Sequence, residues 1–473
     1  MTSAAAALPS GSSTSPPRAP IAVIGLWHLG CVTAACLAQA GSDVLGIDTD
    51  AYVVGELEHG RPPISEPGLS ELLAANTARM RFSSDARLLA QARQAWITFD
   101  TPVDDDDRAD VDVVLDSSAE LLAHLPDGAL VIVSSQLPVG SVARLQARCA
   151  AIRGEHRALR FACVPENLRL GNALECFRAP ERIVAGVRCE QDRRELAALL
   201  APFSTDVQWM RVESAEMTKH ALNSFLATSV AFINEVASIC EAVGADAAEV
   251  ARGLKSEQRI GPHAYLNPGD AFAGGTLARD ITFLRALAER ASLPAHVLTG
   301  VADSNVAHRQ WTRRTLLKLL GSNERMHAGQ LVAIWGLTYK PGTDTLRRSS
   351  AIELCEWLID AGCAVRAHDP AVSTLPPALA EQLELCPAPL AAAADADALV
   401  VCTPWPAYRD VPAEQLVHAL RQPLVIDPAG SLRTGIGAHP CVRYVCVGTP
   451  PVAPSFENAH APRVPVRAES TLG

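Results

Sequence analysis

Two stretches of the chain show the same order of apolar runs and amphipathic segments. In "IAVIGLWHLGCVTAACLAQAGSDVLGID", an apolar strand, a glycine turn, an Ala/Leu-rich helix and a stop at Gly41 precede a second strand that ends in Asp48. In "QLVAIWGLTYKPGTDTLRRSSAIELCEWLIDAGCAVRAHDP" the order repeats, with Gly362 after the helix and Asp369 after the strand. Such βαβ units open doubly wound sheets. The pattern therefore predicts an α/β protein with two Rossmann-like domains.

Further apolar runs extend both sheets. "AWITFDTP", "ALVIVSSQLPVG" and "RFACVPENLRLG" supply strands to the first, and "ALVVCTPW" and "PLVIDPAG" to the second. From about Glu213 to Gly253, apolar residues recur at three- and four-residue steps, which predicts one long helix, or two in series, between the halves. The predicted divisions are a disordered lead (1–19), a first Rossmann domain (20–205), a central helical region (206–325), a second Rossmann-like domain (326–450) and a tail (451–473).

Composition, net charge and cysteine pattern restrict the classes of protein to which this chain can belong. With 48% hydrophobic and 20% charged residues among 473, the chain can bury substantial cores. A net charge of -11 disfavours nucleic acid as a partner. The thirteen cysteines form no CxxC pair or Cys/His cluster, which indicates buried thiols in a reducing cytosol and neither disulfides nor a structural metal. No uninterrupted apolar stretch of about 18 residues stands out, so we expect no membrane span.

The turn "GLWHLG" after the first strand is a candidate dinucleotide site. Gly25 and Gly30 occupy the outer positions of G-x-G-x-x-G, but Trp27 stands at the middle position, where glycine lets the backbone approach a pyrophosphate. Asp48, 18 residues after Gly30, is placed to accept hydrogen bonds from the adenosine ribose, which favours NAD over NADP. The alternative is a doubly wound domain whose turn only packs.

Four polar residues are candidates for chemistry. Lys219 and Asn223 are four residues apart in "EMTKHALNSF", which places an ammonium and a carboxamide together on a helix face, where they could hold an oxyanion or simply face solvent. Glu166, at the carboxyl end of a predicted strand, is either a general base or a loop carboxylate. Asp280 could instead be the N-cap of the helix "DITFLRALAER".

Taken together and in order, a series of segments resembles the UDP-glucose/GDP-mannose dehydrogenase family, NAD-dependent nucleotide-sugar 6-dehydrogenases, over roughly residues 20 to 448. The matching segments are "RPPISEPGLSELL", Thr101-Pro102, "SSQLPVGS", "PENLRLG" with "PERIVAG", "KHALNSFLATSVAFINE", "RIG" with "GGTLARD", "GLTYKPGTDTLRRS" and Asp369-Pro370.

The resemblance implies a four-electron oxidation at C6 of the sugar, through an aldehyde and a cysteine thioester to the uronate. It assigns the reacting centre to Lys219, Asn223, Asp280 and Glu166, with Thr276 at the position of the cysteine. It also implies a homodimer built on the central helix, NAD bound by the first domain and the UDP-sugar by the second.

The resemblance further implies two sets of binding residues. The cofactor set is Gly25, Trp27, His28, Leu29, Gly30, Asp48, Thr101, Gln136, Arg279 and Arg347. The substrate set is Glu166, Leu168, Lys219, Asn223, Arg259, Tyr265, Gly274 and Lys340, in which Arg259 matches the arginine that reaches the site of the neighbouring subunit.

Several residues depart from the family pattern in the cofactor and C6 region. Thr276 replaces the nucleophilic cysteine, and Gln136, Leu170, Arg279 and Trp27 replace a threonine, a glutamate, a lysine and a glycine. A cysteine is partly thiolate at neutral pH, whereas an aliphatic hydroxyl ionises only with an adjacent base. The exchange therefore puts the covalent route in doubt but leaves the first hydride transfer feasible.

Three classes of function remain open from the sequence. The first is an NAD-dependent nucleotide-sugar oxidoreductase of two- or four-electron type. The second is a catalytically silent sensor or regulatory homologue that still binds the sugar, and the third is a structural partner of another dehydrogenase. Retention of Lys219, Asn223 and Asp280 favours the enzyme, because binding alone would not need all three.

Overall fold

The computed structural model describes residues 19–102, 109–154, 156–273, 275–347 and 349–449. The chain divides into two compact units, Met1–Lys219 and His220–Gly473. The predicted lead and tail lie almost entirely outside the described residues. The division into five segments stays a prediction.

The first unit contains an eight-stranded sheet in the order β3-β2-β1-β4-β5-β6-β7-β8. All neighbours are parallel except β6 and β7, and Ile21 of β1 lies opposite Val44 and Gln94 of the flanking strands. The strands are β1 (Ile21–Ile24), β2 (Val44–Ile47), β3 (Met80–Ser83), β4 (Gln94–Ile97), β5 (Leu130–Val133), β6 (Arg160–Cys163), β7 (Ile183–Gly186) and β8 (Val207–Met210).

Helices cover both faces of this sheet. They are α1 (His28–Gln39), α2 (Ala51–Glu58), α3 (Leu69–Ala75), α4 (Val111–Leu122), α5 (Ser141–Arg153), α6 (Ala173–Arg178) and α7 (Glu190–Leu200). Because side chains alternate along a strand, Ile21 and Val23 of β1 pack in the core that contains α1, whereas Ala22 and Ile24 pack in the opposite core with α4 and α5. Burial on both faces explains why the strands read as continuous apolar runs.

The second unit contains a six-stranded parallel sheet in the order β11-β10-β9-β12-β13-β14. The strands are β9 (Leu331–Trp335), β10 (Ala364–His368), β11 (Leu383–Leu385), β12 (Ala398–Val401), β13 (Leu424–Ile426) and β14 (Arg443–Val445). This order matches that of the first six strands of the first unit, which is the order of dinucleotide-binding folds. The predicted fold, two doubly wound domains joined by a helical segment, is confirmed.

Nine helices belong to the rest of the described chain. They are α8 (Val212–Val243), which begins in the first unit, α9 (Ala247–Ser256), α10 (Thr276–Arg290), α11 (His296–Arg309), α12 (Trp311–Leu320), α13 (Ser350–Asp360), α14 (Pro377–Ala380), α15 (Pro389–Ala393) and α16 (Ala413–Ala419). The helical stretch predicted from Glu213 to Gly253 is therefore two helices in series, α8 and α9.

The burial of the cysteines tests the expectation of buried thiols, and the length and composition of the helices test the expectation of no membrane span. All thirteen cysteines are free thiols and nine are buried, so their predicted burial is confirmed for most of them. By length and composition α8 is apolar enough to cross a bilayer. The core helix of a soluble protein passes the same test, so α8 is weak evidence for a membrane span. Within the residues that the structure describes, no group of three His, Cys, Asp or Glu side chains could hold a metal ion.

Side chains from two helices hold the loop that leads into α10. The amide of Asn305 pairs with both backbone groups of Phe272, at 2.9 and 2.8 Å. His308 Nε2 lies 2.8 Å from the carbonyl oxygen of Gly269. From α8, Asn234 accepts a hydrogen bond from the N–H of Gly269 at 3.0 Å. These bonds to α8 and α11 hold residues 269–272 of the loop in place.

Burial of His308 predicts a pH dependence of stability. Burial lowers the pKa of His308 below its usual value of 6.5, so the folded state takes up its proton at lower pH than the unfolded chain. The free energy of unfolding should therefore fall as the pH drops below 6.5. His308→Gln keeps a donor for the carbonyl oxygen of Gly269 but does not titrate. Its free energy of unfolding, measured with urea between pH 7.5 and 5, should therefore fall by less than that of the wild type. Each unit of pKa difference corresponds to about 1.4 kcal/mol.

Replacement of His418, an exposed histidine on α16, provides the matched control for this measurement. His418→Gln should leave the acid slope unchanged. An unchanged slope in His308→Gln would contradict the role given to burial.

Candidate functional site

The turn after β1 has space only for glycine at its two outer positions. Gly25 has a φ of +93°, and a Cβ there would lie 2.8 Å from the backbone nitrogen of Phe99. A Cβ on Gly30 would lie 1.8 Å from the carbonyl oxygen of Gly25. Both glycines are therefore needed for α1 to pack closely against the strands, as in dinucleotide-binding turns.

Trp27 does not need the freedom of a glycine. Its φ of -88° and ψ of -152° are extended values that any residue adopts, and its side chain is 43% exposed at the start of α1. The turn thus keeps its backbone form without the middle glycine. The retained outer glycines and the N-terminus of α1 fit a pyrophosphate.

Asp48 lies just after β2 and bonds to the same turn. Its Oδ2 accepts a hydrogen bond from Leu26 N at 2.6 Å, and its Oδ1 accepts one from Asp50 N at 3.0 Å. A carboxylate has about four lone-pair sites, so these bonds orient Asp48 and leave acceptor capacity for ribose hydroxyls.

Glu66 is an anchor of this region that sequence reasoning missed. Its carboxylate, with a side-chain exposure of 1%, accepts hydrogen bonds from His28 Nε2 at 2.9 Å and from the N–H groups of Gly171 and Ala173 at 2.8 Å each. It thereby joins the first residue of α1 to the loop that follows β6. The available signal was a lone glutamate before the helix in "RPPISEPGLSELL".

Glu166 and Lys219 form a mostly buried pair in the first unit. Lys219 Nζ lies 3.0 Å from Glu166 Oε1 and donates to the carbonyl oxygen of Glu166 at 2.6 Å, and the side chains are only 10% and 17% exposed. The alternative of a solvent-facing polar stripe is therefore wrong for Lys219. The strand β6 ends at Cys163, so Glu166 lies in the loop beyond it, where its Oε2 accepts from Leu168 N at 2.8 Å.

The first unit brings other predicted residues together. Thr101 Oγ1 donates to the carbonyl oxygen of Gln136 at 2.8 Å. Leu29, Glu166 and Leu168 line one cavity. Members of the predicted cofactor and substrate sets therefore share a surface at the carboxyl ends of the strands, which is where doubly wound sheets bind ligands.

In the second unit Asp280 is fully buried on α10. Its Oδ1 accepts from His220 Nδ1 at 2.8 Å and its Oδ2 accepts from Asn223 Nδ2 at 2.5 Å. Asn223 is only 6% exposed, so the solvent-facing alternative is wrong for it as well. Asp280 is also not an N-cap, because α10 begins four residues earlier at Thr276. Sequence reasoning did not select His220.

Thr276 is the first residue of α10 and is exposed. Gly275, with a φ of +111°, precedes it, and a Cβ at this glycine would lie 3.6 Å from the Tyr339 hydroxyl. The loop that carries Lys340 therefore passes beside this turn. Thr276 and Asp280 are one helical turn apart, which places them on the same side of α10. Gly274, a predicted substrate residue, lies outside the described residues.

The remaining predicted residues of this unit lie on loops and at the surface. Arg259 has an 88% exposed side chain and pairs with Glu257 at 3.0 Å, and Tyr265 is 55% exposed. Arg347 is exposed, whereas Arg279 and Lys340 are half-buried. Their roles in binding stay predictions.

The fold and the glycine turn define a dinucleotide-binding protein of the doubly wound α/β class. Family comparison is more specific. The model of the "UDP-glucose/GDP-mannose dehydrogenase family, NAD binding domain" matches residues 19–204, the model of its central domain matches 213–307, and that of its UDP binding domain matches 333–434. The chain belongs to the UDP-glucose/GDP-mannose dehydrogenase family and is an NAD-dependent nucleotide-sugar dehydrogenase.

Individual relatives agree with this assignment. A UDP-glucose 6-dehydrogenase of Pseudomonas aeruginosa is 35% identical over 422 residues, covering 86% of this chain and 92% of the relative. One from Rhizobium meliloti is 33% identical and covers 91% and 99%. The structure of a UDP-glucose dehydrogenase from Pyrobaculum islandicum superposes with a TM-score of 0.79 at 29% identity, over 90% of this chain and 98% of that one.

The position of Asp48 predicts its contribution to cofactor affinity. Asp48→Ala removes the predicted acceptor for ribose hydroxyls and leaves Leu26 N without its partner, so NAD binding should weaken by roughly 1–3 kcal/mol. Calorimetric titration of NAD into both proteins measures this change. Replacement of the exposed Glu71 on α3 by glutamine is the control and should not alter affinity. Tighter binding of NADP than NAD by the wild type would contradict the assignment of Asp48.

Proposed function

We propose that this protein oxidises C6 of a UDP-sugar with NAD, in a UDP-glucose 6-dehydrogenase-like reaction, with Thr276 in place of the catalytic cysteine. The observation that carries the proposal is the burial of the predicted polar groups: Asn223 bonds to Asp280, and Lys219 bonds to Glu166. Buried polar networks of this kind are costly unless every group is satisfied. The family relationship favours an enzyme over a silent sensor.

The chain's own residues supply acid–base chemistry and oxyanion stabilisation. NAD, when bound, accepts a hydride from C6 of the sugar. Lys219 and Asn223, four residues apart on α8, stabilise the developing negative charge on the C6 oxygen, and Asp280 accepts the hydroxyl proton directly or through a water. Loss of the hydride and of the hydroxyl proton gives the aldehyde, and this step requires no nucleophile.

A second oxidation meets a chemical obstacle at Thr276. The threonine hydroxyl is not ionised without an adjacent base, and a threonine ester is a poorer acyl donor than a thioester. If oxidation continues to the uronate, we propose that a water activated by Glu166 or Asp280 hydrates the aldehyde before the second hydride leaves. Thr276 then serves as a polar contact to the substrate.

We also propose a cytosolic homodimer in which α8 forms the interface. Phe225, Phe232 and Ile239 are 69%, 49% and 61% exposed, and Val243 is 72% exposed. The first three are spaced by seven residues, so they form one apolar stripe along α8. An exposed apolar stripe of this length is typical of a surface that packs against another chain. Arg259 is exposed and thus available to a neighbouring subunit.

The overall proposal is tested by incubation of the purified protein with NAD and a panel of UDP- and GDP-sugars. We expect NADH to form with a UDP-sugar, UDP-glucose first among them. The ratio of NADH formed to sugar consumed distinguishes an aldehyde product, with a ratio of one, from a uronate, with a ratio of two. Binding of a UDP-sugar without any NADH would instead support the silent sensor.

The role of Thr276 predicts an unequal effect of two substitutions. Thr276→Val removes only the hydroxyl and should keep most NADH production, whereas Lys219→Ala should lose ~10²-fold or more in kcat, the range for an oxyanion donor or acid–base group. Thr276→Cys adds a thiol that can trap the aldehyde, so the ratio of NADH to sugar should rise from about one toward two.

Initial rates and end-point ratios measure both effects, with thermal unfolding to confirm that each variant is folded. An acyl-enzyme at Thr276 detected by mass spectrometry would contradict this interpretation. So would a Thr276→Val variant as inactive as Lys219→Ala.

The dimer is tested by a charge placed in the apolar stripe. Phe232→Glu should dissociate the protein or weaken its association by about tenfold or more at micromolar concentration, because a buried unpaired charge is costly. Ile152→Glu is a matched control, since Ile152 is 53% exposed on α5, far along the chain from the stripe. Sedimentation velocity measures both. A monomeric wild type would contradict the proposal.

A further inference from the structure

His220 shares the Asp280 carboxylate with Asn223. Both side chains project from α8, three residues apart and therefore on one face of the helix, and each bonds to a different oxygen of Asp280. The side-chain exposures of His220 and Asp280 are 2% and 0%. We infer that His220 is a positioning residue that fixes the Asp280 carboxylate for proton transfer, an inference that rests on the proposed function.

The two donors together determine the plane of the carboxylate. The terminal torsion of an aspartate is broad and roughly two-fold, so a single hydrogen bond leaves the group free to turn. Donors on both oxygens, at 2.8 Å from His220 and 2.5 Å from Asn223, remove this freedom. The orientation of the carboxylate is then set before the substrate arrives.

The imidazole of His220 is itself held in place. Its ring meets the ring of Phe283 edge to face, with centroids 5.4 Å apart and an interplanar angle of 89°. Phe283 lies three residues after Asp280 on α10, so the same helix provides the carboxylate and the surface that orients its partner. Nδ1 donates to the carboxylate both in the neutral Nδ1–H tautomer and in the imidazolium.

The location of the pair connects it with the reaction. Asp280 lies one turn after Thr276 on α10, and Asn223 belongs to the proposed reacting groups. His220 bonds to the carboxylate and acts through it. Loss of His220 should therefore slow the chemical step more than it weakens binding of either NAD or the sugar.

Three substitutions test this role by geometry. The amide nitrogen of Asn lies near the place of the imidazole Nδ1, whereas that of Gln lies near the place of Nε2. His220→Asn should therefore keep kcat with UDP-glucose within about 3-fold of wild type, and His220→Gln and His220→Leu should lose about 10²-fold, the scale for misplacement of a reacting group. The KM for UDP-glucose and the Kd for NAD from calorimetry should change by less than about 3-fold.

Exposed His418 provides the matched control, and His418→Leu should leave all of these constants unchanged. The isotope effect on kcat with UDP-glucose deuterated at C6 should increase in His220→Gln, because the chemical step becomes slower relative to product release. A purely structural role would lower the unfolding temperature without moving the isotope effect.

The outcomes separate this inference from the proposed function. If the wild type forms no NADH with any UDP-sugar, the proposed function fails and the inference fails with it. If the wild type is active, equal kcat values in His220→Asn and His220→Gln overturn the inference alone, and this comparison stands even where His220→Leu does not fold. A loss confined to KM or to Kd for NAD would also overturn it.

Discussion

Backbone N–H groups beyond the strands of a doubly wound sheet need acceptors, and this chain supplies them as carboxylates. Asp48 accepts from Leu26 N at 2.6 Å in the first unit, and Asp369 accepts from Leu337 N at 2.7 Å in the second. Each aspartate follows the second strand of its sheet and bonds to the turn after the first strand. Since an unpaired buried N–H costs about 1–3 kcal/mol, these bonds hold the turns after β1 and β9 in place.

Carboxylates that accept hydrogen bonds from backbone N–H groups also hold loops farther from the first turn. Glu216, in the first turns of α8, accepts from Gly140 N and Val142 N at 2.8 and 2.9 Å and so holds the N-terminus of α5. Glu66 does the same for the loop after β6. Because two backbone donors share each carboxylate, the orientation of the loop is set as well as its position. Side chains on such loops can then be held accurately enough for catalysis.

Much of the fold could be predicted from the sequence, because the apolar runs of the strands and the three- and four-residue spacing of apolar residues in the helices are both clear. Strands buried on both faces give apolar runs, and Gly41 and Gly362 mark the ends of helices α1 and α13. The glycine turn and Asp48 follow from local order along the chain. The end of β6 and the start of α10 were predicted less accurately, because loop geometry decides where these elements begin and end. The strand β6 ends three residues before Glu166, and α10 begins four residues before Asp280.

The site was predicted less completely, because burial of single polar residues depends on contacts between distant elements. His220 lies in a helical pattern and gives no local signal, and it becomes notable only when α10 places Asp280 against it, 60 residues away along the chain. The same holds for Glu66, whose partners Gly171 and Ala173 lie more than a hundred residues away. A solvent-facing stripe was the simpler expectation for Lys219, because its partner Glu166 lies 53 residues earlier in the chain.

The proposed replacement of a cysteine by Thr276 falls on the group that a covalent second step would use, whereas the bonds that hold the scaffold are present. The outer glycines, the carboxylate anchors and the Asn223–Asp280 bond are all in place. Thr276, by contrast, lies exposed at the start of α10, where the partial positive charge of the helix N-terminus favours an anion but is too weak to ionise a hydroxyl. Asp280 lies one turn further along α10 and is held by hydrogen bonds from His220 and Asn223. The structure therefore supports the proposal that the Asp280 carboxylate accepts the substrate's proton and that Thr276 stays uncharged.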